Sequence, residues 1–198
     1  MNLTNRYKYL LPLLGAGAAA VATTVASAVR AHRRARHLPP LRTAERVDLD
    51  RYLGTWYEIA RLPSGFESGC TQTQATYTRN PGGDLRVINQ CVRNGRRRDV
   101  RGTGRVVDAP RNSKLKVTFQ WPFAGDYWIM RVGDDGSGGP YAYALVGHPY
   151  REYLWILARE EYLDDDVRTE LLALARDEGY EELERLVWRG AENSVPEG

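Results

Sequence analysis

The stretch from residue 54 to residue 159 repeats one pattern, in which short runs of β-branched and aromatic residues are separated by turn-forming sequences. In one such run, apolar residues occupy every second position, at Leu115, Val117 and Phe119. Successive side chains of a strand point to opposite faces, so this alternation predicts a strand with one buried face. Eight strands are predicted, at 54–61, 70–79, 84–93, 98–107, 114–120, 126–132, 141–147 and 153–159. The turn signals between them favour an all-β fold, an eight-stranded antiparallel up-and-down barrel.

Two helical segments are predicted on either side of the strands. Residues 47–53 are typical of a short helical turn whose apolar side chains plug one end of the barrel. After the last strand, Asp164 is expected to cap a longer helix that ends at Gly179. The apolar stripe of this helix is formed by Val167, Leu171, Leu174 and Ala175.

The N-terminal 29 residues have a different character. Arg6 and Lys8 precede an uncharged, Ala- and Leu-rich run at 10–29, which closes with Ala26-Ser27-Ala28. This pattern is typical of an export signal cleaved after Ala28, and the run is also long enough to remain as a membrane anchor. In both cases the barrel is expected outside the cytoplasm.

Residues 30–46 form a basic linker that holds six arginines against one glutamate, a local charge of +5. This linker has two possible roles, a solvated spacer or a contact with anionic lipid headgroups. Together with the +2 of residues 1–28, the linker accounts for +7 of a chain whose net charge is +3, which leaves −4 for residues 47–198. The folded part is therefore acidic, and a nucleic-acid partner is not expected. The predicted domain spans 47–190, with a tail at 191–198.

Cys70 and Cys91 are the two cysteines of the chain, and they flank a hairpin whose turn is predicted at 80–83. The two positions fall roughly opposite each other on adjacent strands, which favours a disulfide. Two buried thiols are the alternative. The disulfide agrees with an oxidising compartment.

Gly54-Thr55-Trp56-Tyr57 and Arg159 are predicted to close one end of the barrel. If the first and last strands meet, the Trp56 ring can receive the Arg159 guanidinium on its face, while the guanidinium donors cap nearby carbonyls. Gly54, Trp56 and Arg159 are therefore interpreted as barrel-closing residues.

Three segments carry a family resemblance: Gly54 to Arg61, Tyr143 to Gly147, and Tyr153 to Arg159. In order and spacing they resemble the lipocalin family, in the branch that includes bacterial outer-membrane lipocalins and apolipoprotein D. The resemblance implies a calycin barrel, an outer C-terminal helix and a short strand near 186–188. It also implies a place in the periplasm or outer membrane. Relatives acylated on a cysteine suggest a lipid anchor, which is not expected here because the first cysteine is Cys70.

A ligand would contact the inward side chains of the barrel. Because Arg159 must reach Trp56, strand alternation places Trp155 and Leu157 inside. The alternation of the fifth strand places Leu115, Val117 and Phe119 inside, and the register of the family implies which residues of the other strands face inward. The predicted lining comprises Tyr77, Asn89, Leu115, Val117, Phe119, Tyr127, Ile129, Ala144, Val146, Tyr153, Trp155 and Leu157. The family register also places Ala75 and Val87 inside, and Trp128 and Met130 toward the helix. The alternative is a barrel filled by its own side chains.

The resemblance implies a non-enzymatic protein that binds and stores or transports fatty acids or lysophospholipids in the bacterial envelope, without a cofactor. His32, His37 and His148 do not form a ligand cluster, so no metal site is expected. One alternative is an enzyme acting on a lipophilic substrate through an inward Glu58 or a free Cys70. Another is a membrane-bound envelope scaffold. Phe66, in the predicted mouth loop, could cover the entrance or enter a membrane, and a homodimer is left open.

Overall fold

The computed structural model describes residues 38–134 and 136–191. The predicted signal or anchor segment, residues 30–37 of the basic linker and the tail beyond residue 191 lie outside the described residues. The described elements are α1 (Leu49–Tyr52), β1 (Gly54–Arg61), β2 (Thr71–Arg79), β3 (Leu85–Arg93), β4 (Arg96–Val106), β5 (Lys114–Gln120), β6 (Phe123–Gly133), β7 (Tyr143–Gly147), β8 (Leu154–Ala158), α2 (Asp165–Asp177), a 3₁₀ turn (Leu183–Arg185) and β9 (Val187–Trp188). Among these residues, no helix is long and apolar enough to cross a membrane.

The strands form a closed antiparallel barrel, which confirms the predicted fold class. Their order is β2-β3-β4-β5-β6-β7-β8-β1-β9, and an additional pairing of β1 with β2 closes the first eight strands. β9 lies outside this ring and pairs with Ala60 and Arg61 at the end of β1. Because consecutive strands run in opposite directions, the loops at 62–70, 94–95, 121–122 and 148–153 gather at one end, called here the mouth. The opposite end is the closed end.

The predicted strand bounds differ from the structure chiefly at two tight turns. Asn94 and Gly95 both have positive φ, 52° and 69°, as a two-residue hairpin turn of type I′ requires. The ladder therefore continues to the turn, and β4 begins at Arg96 rather than at 98. Gln120 pairs with Phe123 across the next mouth turn, so β6 begins at Phe123 rather than at 126.

The closed end is plugged by α1, as the pattern at 47–53 predicts. The Asp48 side chain accepts a hydrogen bond from the backbone of Asp50, at 2.9 Å, and caps this short helix. Val47 and Tyr52 are fully buried and pack against the interior core of the barrel. Residues 47–53 therefore fix the floor of the barrel.

A second core lies between the outer wall of the barrel and α2. Leu171 and Ala175 of this helix pack against a cluster that includes Ile156 of β8 and Met130 of β6. Asp164 occupies the N-cap position, but its side chain makes no capping hydrogen bond, so that part of the prediction was wrong. Its backbone oxygen accepts from Arg168 N at 2.9 Å. The acidic residues of the first turn instead favour the helix dipole.

Residues 38–47 form a strap along the outside of the barrel. At the mouth end, Arg151 donates to the Pro39 carbonyl at 2.9 Å. Midway, Ala44 N donates to Ile129 O at 2.9 Å, and at the closed end Val47 N donates to Arg111 O at 2.8 Å. Leu41 is buried in the outer core, so the strap is part of the folded domain.

A disulfide joins Cys70 and Cys91, whose Cα atoms are 5.5 Å apart, as the hairpin spacing predicts. It ties the end of the first mouth loop to β3. Because both sulfurs are used, Cys70 offers no free thiol for the enzymatic alternative.

Candidate ligand-binding cup

Arg159 and Trp56 seal the closed end. The guanidinium carbon lies 3.8 Å from the centroid of the Trp56 ring. Its nitrogens donate to the carbonyls of Leu53, Thr55 and Tyr141 at 2.7, 2.6 and 3.0 Å. The third predicted residue, Gly54, has φ +99°, and a Cβ there would lie 3.2 Å from Arg159 Nη1. The site thus requires glycine at position 54, both for its backbone conformation and for space.

The lower half of the barrel is filled by its own side chains. Eight of the predicted lining residues on β5 to β8 belong to the interior core, and Trp128 and Met130 belong to the outer core beside α2. The other two, Phe119 and Tyr153, lie outside this core, and Phe119 is 41% exposed. However, Leu115, Ile129, Ala144 and Val146 have no accessible surface, and Tyr77 and Leu157 have almost none. A ligand would reach these six residues only if their neighbours moved.

Three tyrosine hydroxyls form the boundary of the filled region. Tyr52 and Tyr127 are linked at 2.7 Å, and Tyr77 donates to Tyr127 at 2.9 Å. Burial raises the pKa of Tyr77 to about 12 and the pKa values of Tyr52 and Tyr127 well above the ordinary phenol value. The three phenols are therefore uncharged at physiological pH, and they form a hydrogen-bonded floor.

Between this floor and the mouth, several side chains are half-buried and keep part of their surface accessible. Tyr153, Trp155 and Tyr127 form a stack, with centroids 5.7 and 6.3 Å apart and interplanar angles of 24° and 28°. Phe66 of the first mouth loop contacts Tyr153 edge-on at 5.4 Å. We call this region the cup; it is formed by Val117, Tyr127 and Trp155 of the interior core, by Tyr153, which stacks on Trp155, and by Asn89, which is paired with the inward Ala75. One of its walls is therefore a continuous aromatic surface.

The facing wall is polar and was not expected from the sequence. A bulge in β1 between Glu58 and Ala60 changes the alternation. Glu58 is paired with Leu157, and Arg61 is paired with Trp155, so both side chains share the inward face of those partners. Arg61 Nη1 donates to Glu58 Oε1 at 3.0 Å. Glu58 thus faces inward as considered, but its partner is Arg61.

Glu67 completes this wall from the first mouth loop. Ser64 donates to Glu67 Oε2 at 2.6 Å, and Trp155 Nε1 donates to Glu67 Oε1 at 3.3 Å. Arg61 Nε lies 3.6 Å from Glu67 Oε2. Burial raises the pKa of the Glu67 carboxyl above its ordinary value, while the hydrogen bonds and the Arg61 charge oppose this rise. Sequence reasoning missed Arg61 because the bulge breaks the period of two, and missed Glu67 because it lies in a loop.

A closed end sealed by a Trp–Arg pair, a mouth at the other end and a helix on the outer wall define a lipocalin-type binding barrel. Residues 47–190 match the family described as a lipocalin-like domain, and the chain belongs to this family. This confirms the predicted resemblance. The family is known for binding small hydrophobic ligands, and within residues 38–134 and 136–191 no three His, Cys, Asp or Glu side chains gather into a metal site.

A plant relative and a bacterial relative are each similar to this chain over two thirds or more of its length. Temperature-induced lipocalin-1 of Arabidopsis thaliana is 38% identical over 144 residues, covering 68% of this chain and 75% of the plant protein. Outer membrane lipoprotein Blc of Escherichia coli K12 is 36% identical over 183 residues, covering 90% and 96% of the two chains. Among solved structures, insecticyanin of the tobacco hornworm Manduca sexta superposes with a TM-score of 0.61 at 20% identity, covering 77% of this chain and 85% of that one.

Proposed function

We propose that this protein binds and stores or transports a small amphiphile, such as a fatty acid or lysophospholipid, in the bacterial cell envelope, without catalysis. The aromatic wall of the cup is the observation that carries this proposal. Tyr127, Tyr153 and Trp155 offer a stacked aromatic surface, and each of the three keeps part of its surface accessible. An acyl chain that buries about 200 Å² of apolar surface there would gain roughly 5 kcal/mol before association costs.

The proposed compartment has two supports. The relative in Escherichia coli is by name an outer membrane lipoprotein, and it aligns over 90% of this chain. The disulfide between Cys70 and Cys91 suits an oxidising environment outside the cytoplasm. The predicted signal or anchor at 10–29 agrees with both.

Titration of the purified protein with a C18 fatty acid or a lysophospholipid tests the proposal through tryptophan fluorescence. We expect a saturable change at one site, most of which is lost in Trp155→Phe because this ring lies in the cup wall. Trp128→Phe is the matched control, since Trp128 packs on the outer side of the barrel. A signal that is absent in the unmodified protein, or unchanged in Trp155→Phe, contradicts binding in the cup.

The mouth also suits contact with an anionic membrane, the second proposed partner. Phe66 and Trp121 project from two mouth loops with 56% and 86% of their surface exposed. At a third mouth turn, between β3 and β4, the side chains of Arg96, Arg97 and Arg98 are exposed. Aromatic rings and arginines at one end of a protein match the headgroup region of an anionic bilayer.

Trp121→Ala is expected to weaken binding to vesicles that contain anionic lipid by about tenfold, because burial of a large aromatic side chain contributes roughly 1.5–3 kcal/mol. Cosedimentation with vesicles measures the change. Tyr162→Ala is the control, since Tyr162 is similarly exposed but follows β8 at the closed end. Equal losses in both variants, or no loss in Trp121→Ala, contradict docking through the mouth.

A further inference from the structure

The polar wall of the cup holds three charged side chains away from solvent. Glu58, Arg61 and Glu67 are 6%, 5% and 8% exposed. Both terminal nitrogens of the guanidinium are occupied: Nη1 by Glu58 at 3.0 Å, and Nη2 by the carbonyls of Glu67 and Cys70 at 3.3 and 3.4 Å. Two carboxylates therefore share one cation, and the wall is negative when both are ionised.

Charge at the wall disfavours an anionic headgroup inside the cup. A carboxylate brought beside Glu58 and Glu67 would lose its hydration and meet two like charges, with the Arg61 guanidinium already engaged by them. Arg159 gives no compensation because it lies at the closed end, behind Trp56. Arginines are instead found at the mouth, where Arg93 donates to the Phe66 carbonyl at 3.3 Å. A charged headgroup is thus better accommodated at the mouth than at the wall.

Two buried polar atoms on the strands that follow this wall, Thr73 Oγ1 and Asn89 Oδ1, lack hydrogen-bond partners among the described residues. The β2–β3 ladder is irregular between Thr71 and Gln74, and within this irregularity Thr73 is 6% exposed while Gln72 and Gln74 on either side of it are more exposed. This burial places the Thr73 side chain on the inward face of β2. Buried polar atoms normally have partners, so these atoms mark a place where a bound molecule would supply them. The amide oxygen of Asn89 is an acceptor, and the hydroxyl of Thr73 is both a donor and an acceptor.

We infer that this wall is a subsite for an uncharged, hydroxyl-bearing headgroup, such as the glycerol of a monoacylglycerol, and that it disfavours a free carboxylate. A hydroxyl can donate to Asn89 Oδ1 and exchange a hydrogen bond with Thr73 Oγ1, whereas a carboxylate cannot donate to the amide oxygen. A glycerol group carries two such hydroxyls, which suits the neighbouring positions of Thr73 and Asn89 on paired strands. The inference rests on the proposed function, because it assigns the ligand class of the same cup.

Comparison of monolaurin with laurate tests the subsite, because the two share one acyl chain and differ in the headgroup. Titration of the purified protein with each lipid at pH 7.5, followed by tryptophan fluorescence, gives both affinities. We expect monolaurin to bind about tenfold more tightly than laurate, since the wall pairs with its hydroxyls and repels the carboxylate. Equal affinities would overturn the subsite and leave the proposed function standing, whereas no saturable binding of either lipid would overturn both.

Two variants separate the hydrogen-bonding and charge contributions. Thr73→Val removes an unpartnered buried hydroxyl without changing side-chain shape, so the fold should be retained, and monolaurin should weaken about fivefold while laurate is unchanged. Glu67→Gln should strengthen laurate about fivefold and leave monolaurin unchanged. Thr78→Val and Glu160→Gln, both exposed, are the controls. An unchanged ratio of the two affinities in either test variant would overturn the subsite.

Discussion

Replacement of Arg159 by methionine is expected to lower the free energy of unfolding by about 3–5 kcal/mol, among the largest effects of a single substitution in this chain. The guanidinium caps the carbonyls of Arg51, Tyr52, Leu53, Thr55 and Tyr141. Methionine fills a similar volume but leaves these acceptors without their donor, and it removes the cation from the face of Trp56.

Urea denaturation of the variant and the unmodified protein measures this effect. Arg105→Met is the matched control because Arg105 is exposed on β4. Arg159→Lys should fall between the two, since an ammonium group retains the charge but cannot reach all five carbonyls. A loss below about 1 kcal/mol in Arg159→Met would contradict the closing role.

Arg61→Met is the second substitution for which we expect a large loss, about 3–5 kcal/mol at neutral pH. It leaves Glu58 and Glu67 buried without the cation that they share. The charge of Arg61 lowers the pKa of Glu67, so its removal raises that pKa further above the ordinary value. A carboxyl whose folded-state pKa is raised contributes most at low pH, and this contribution is lost as the pH rises through that pKa.

The deficit of Arg61→Met should therefore grow as the pH rises from acid to neutral, and it should shrink on acidification. Urea denaturation at several pH values between 5 and 8 measures it against Arg86→Met, an exposed arginine of β3. Adding Glu67→Gln to Arg61→Met should restore part of the loss at neutral pH. A deficit that does not depend on pH would contradict the interpretation of the wall as a shared charge cluster.

Much of the barrel could be predicted because the alternation within each strand and the turn signals between strands are local sequence patterns. Alternation at Leu115, Val117 and Phe119 reveals one inward face, and the distance between the Trp56 and Arg159 segments suits the first and last strands of a closed ring. The ends of the strands were harder to predict. The tight turn at Asn94-Gly95 allows the β3–β4 pairing to continue up to the turn, so β4 is longer than its apolar pattern suggests.

The cup could be predicted only in part. Ile129 and Val146 face inward as expected, but close packing encloses them, and packing density cannot be read from a period of two. The bulge after Glu58 brings Arg61 to the inward face, where regular alternation from Trp56 would place Ala60. The contact of Glu67 with Trp155 joins residues 88 positions apart, and no local pattern signals it.

The strap has a consequence for how the whole chain is oriented. Its first described residues lie beside Arg151 in a mouth loop, and it runs from there to the closed end. Whatever precedes residue 38 therefore leaves the barrel next to its opening. A tether formed by residues 10–29 would hold that opening toward the bilayer, with the sealed base turned away. The distance that a lipid must cross from the leaflet to the cup would then be limited by residues 30–37, the part of the basic linker that precedes the strap, and not by free diffusion of the protein.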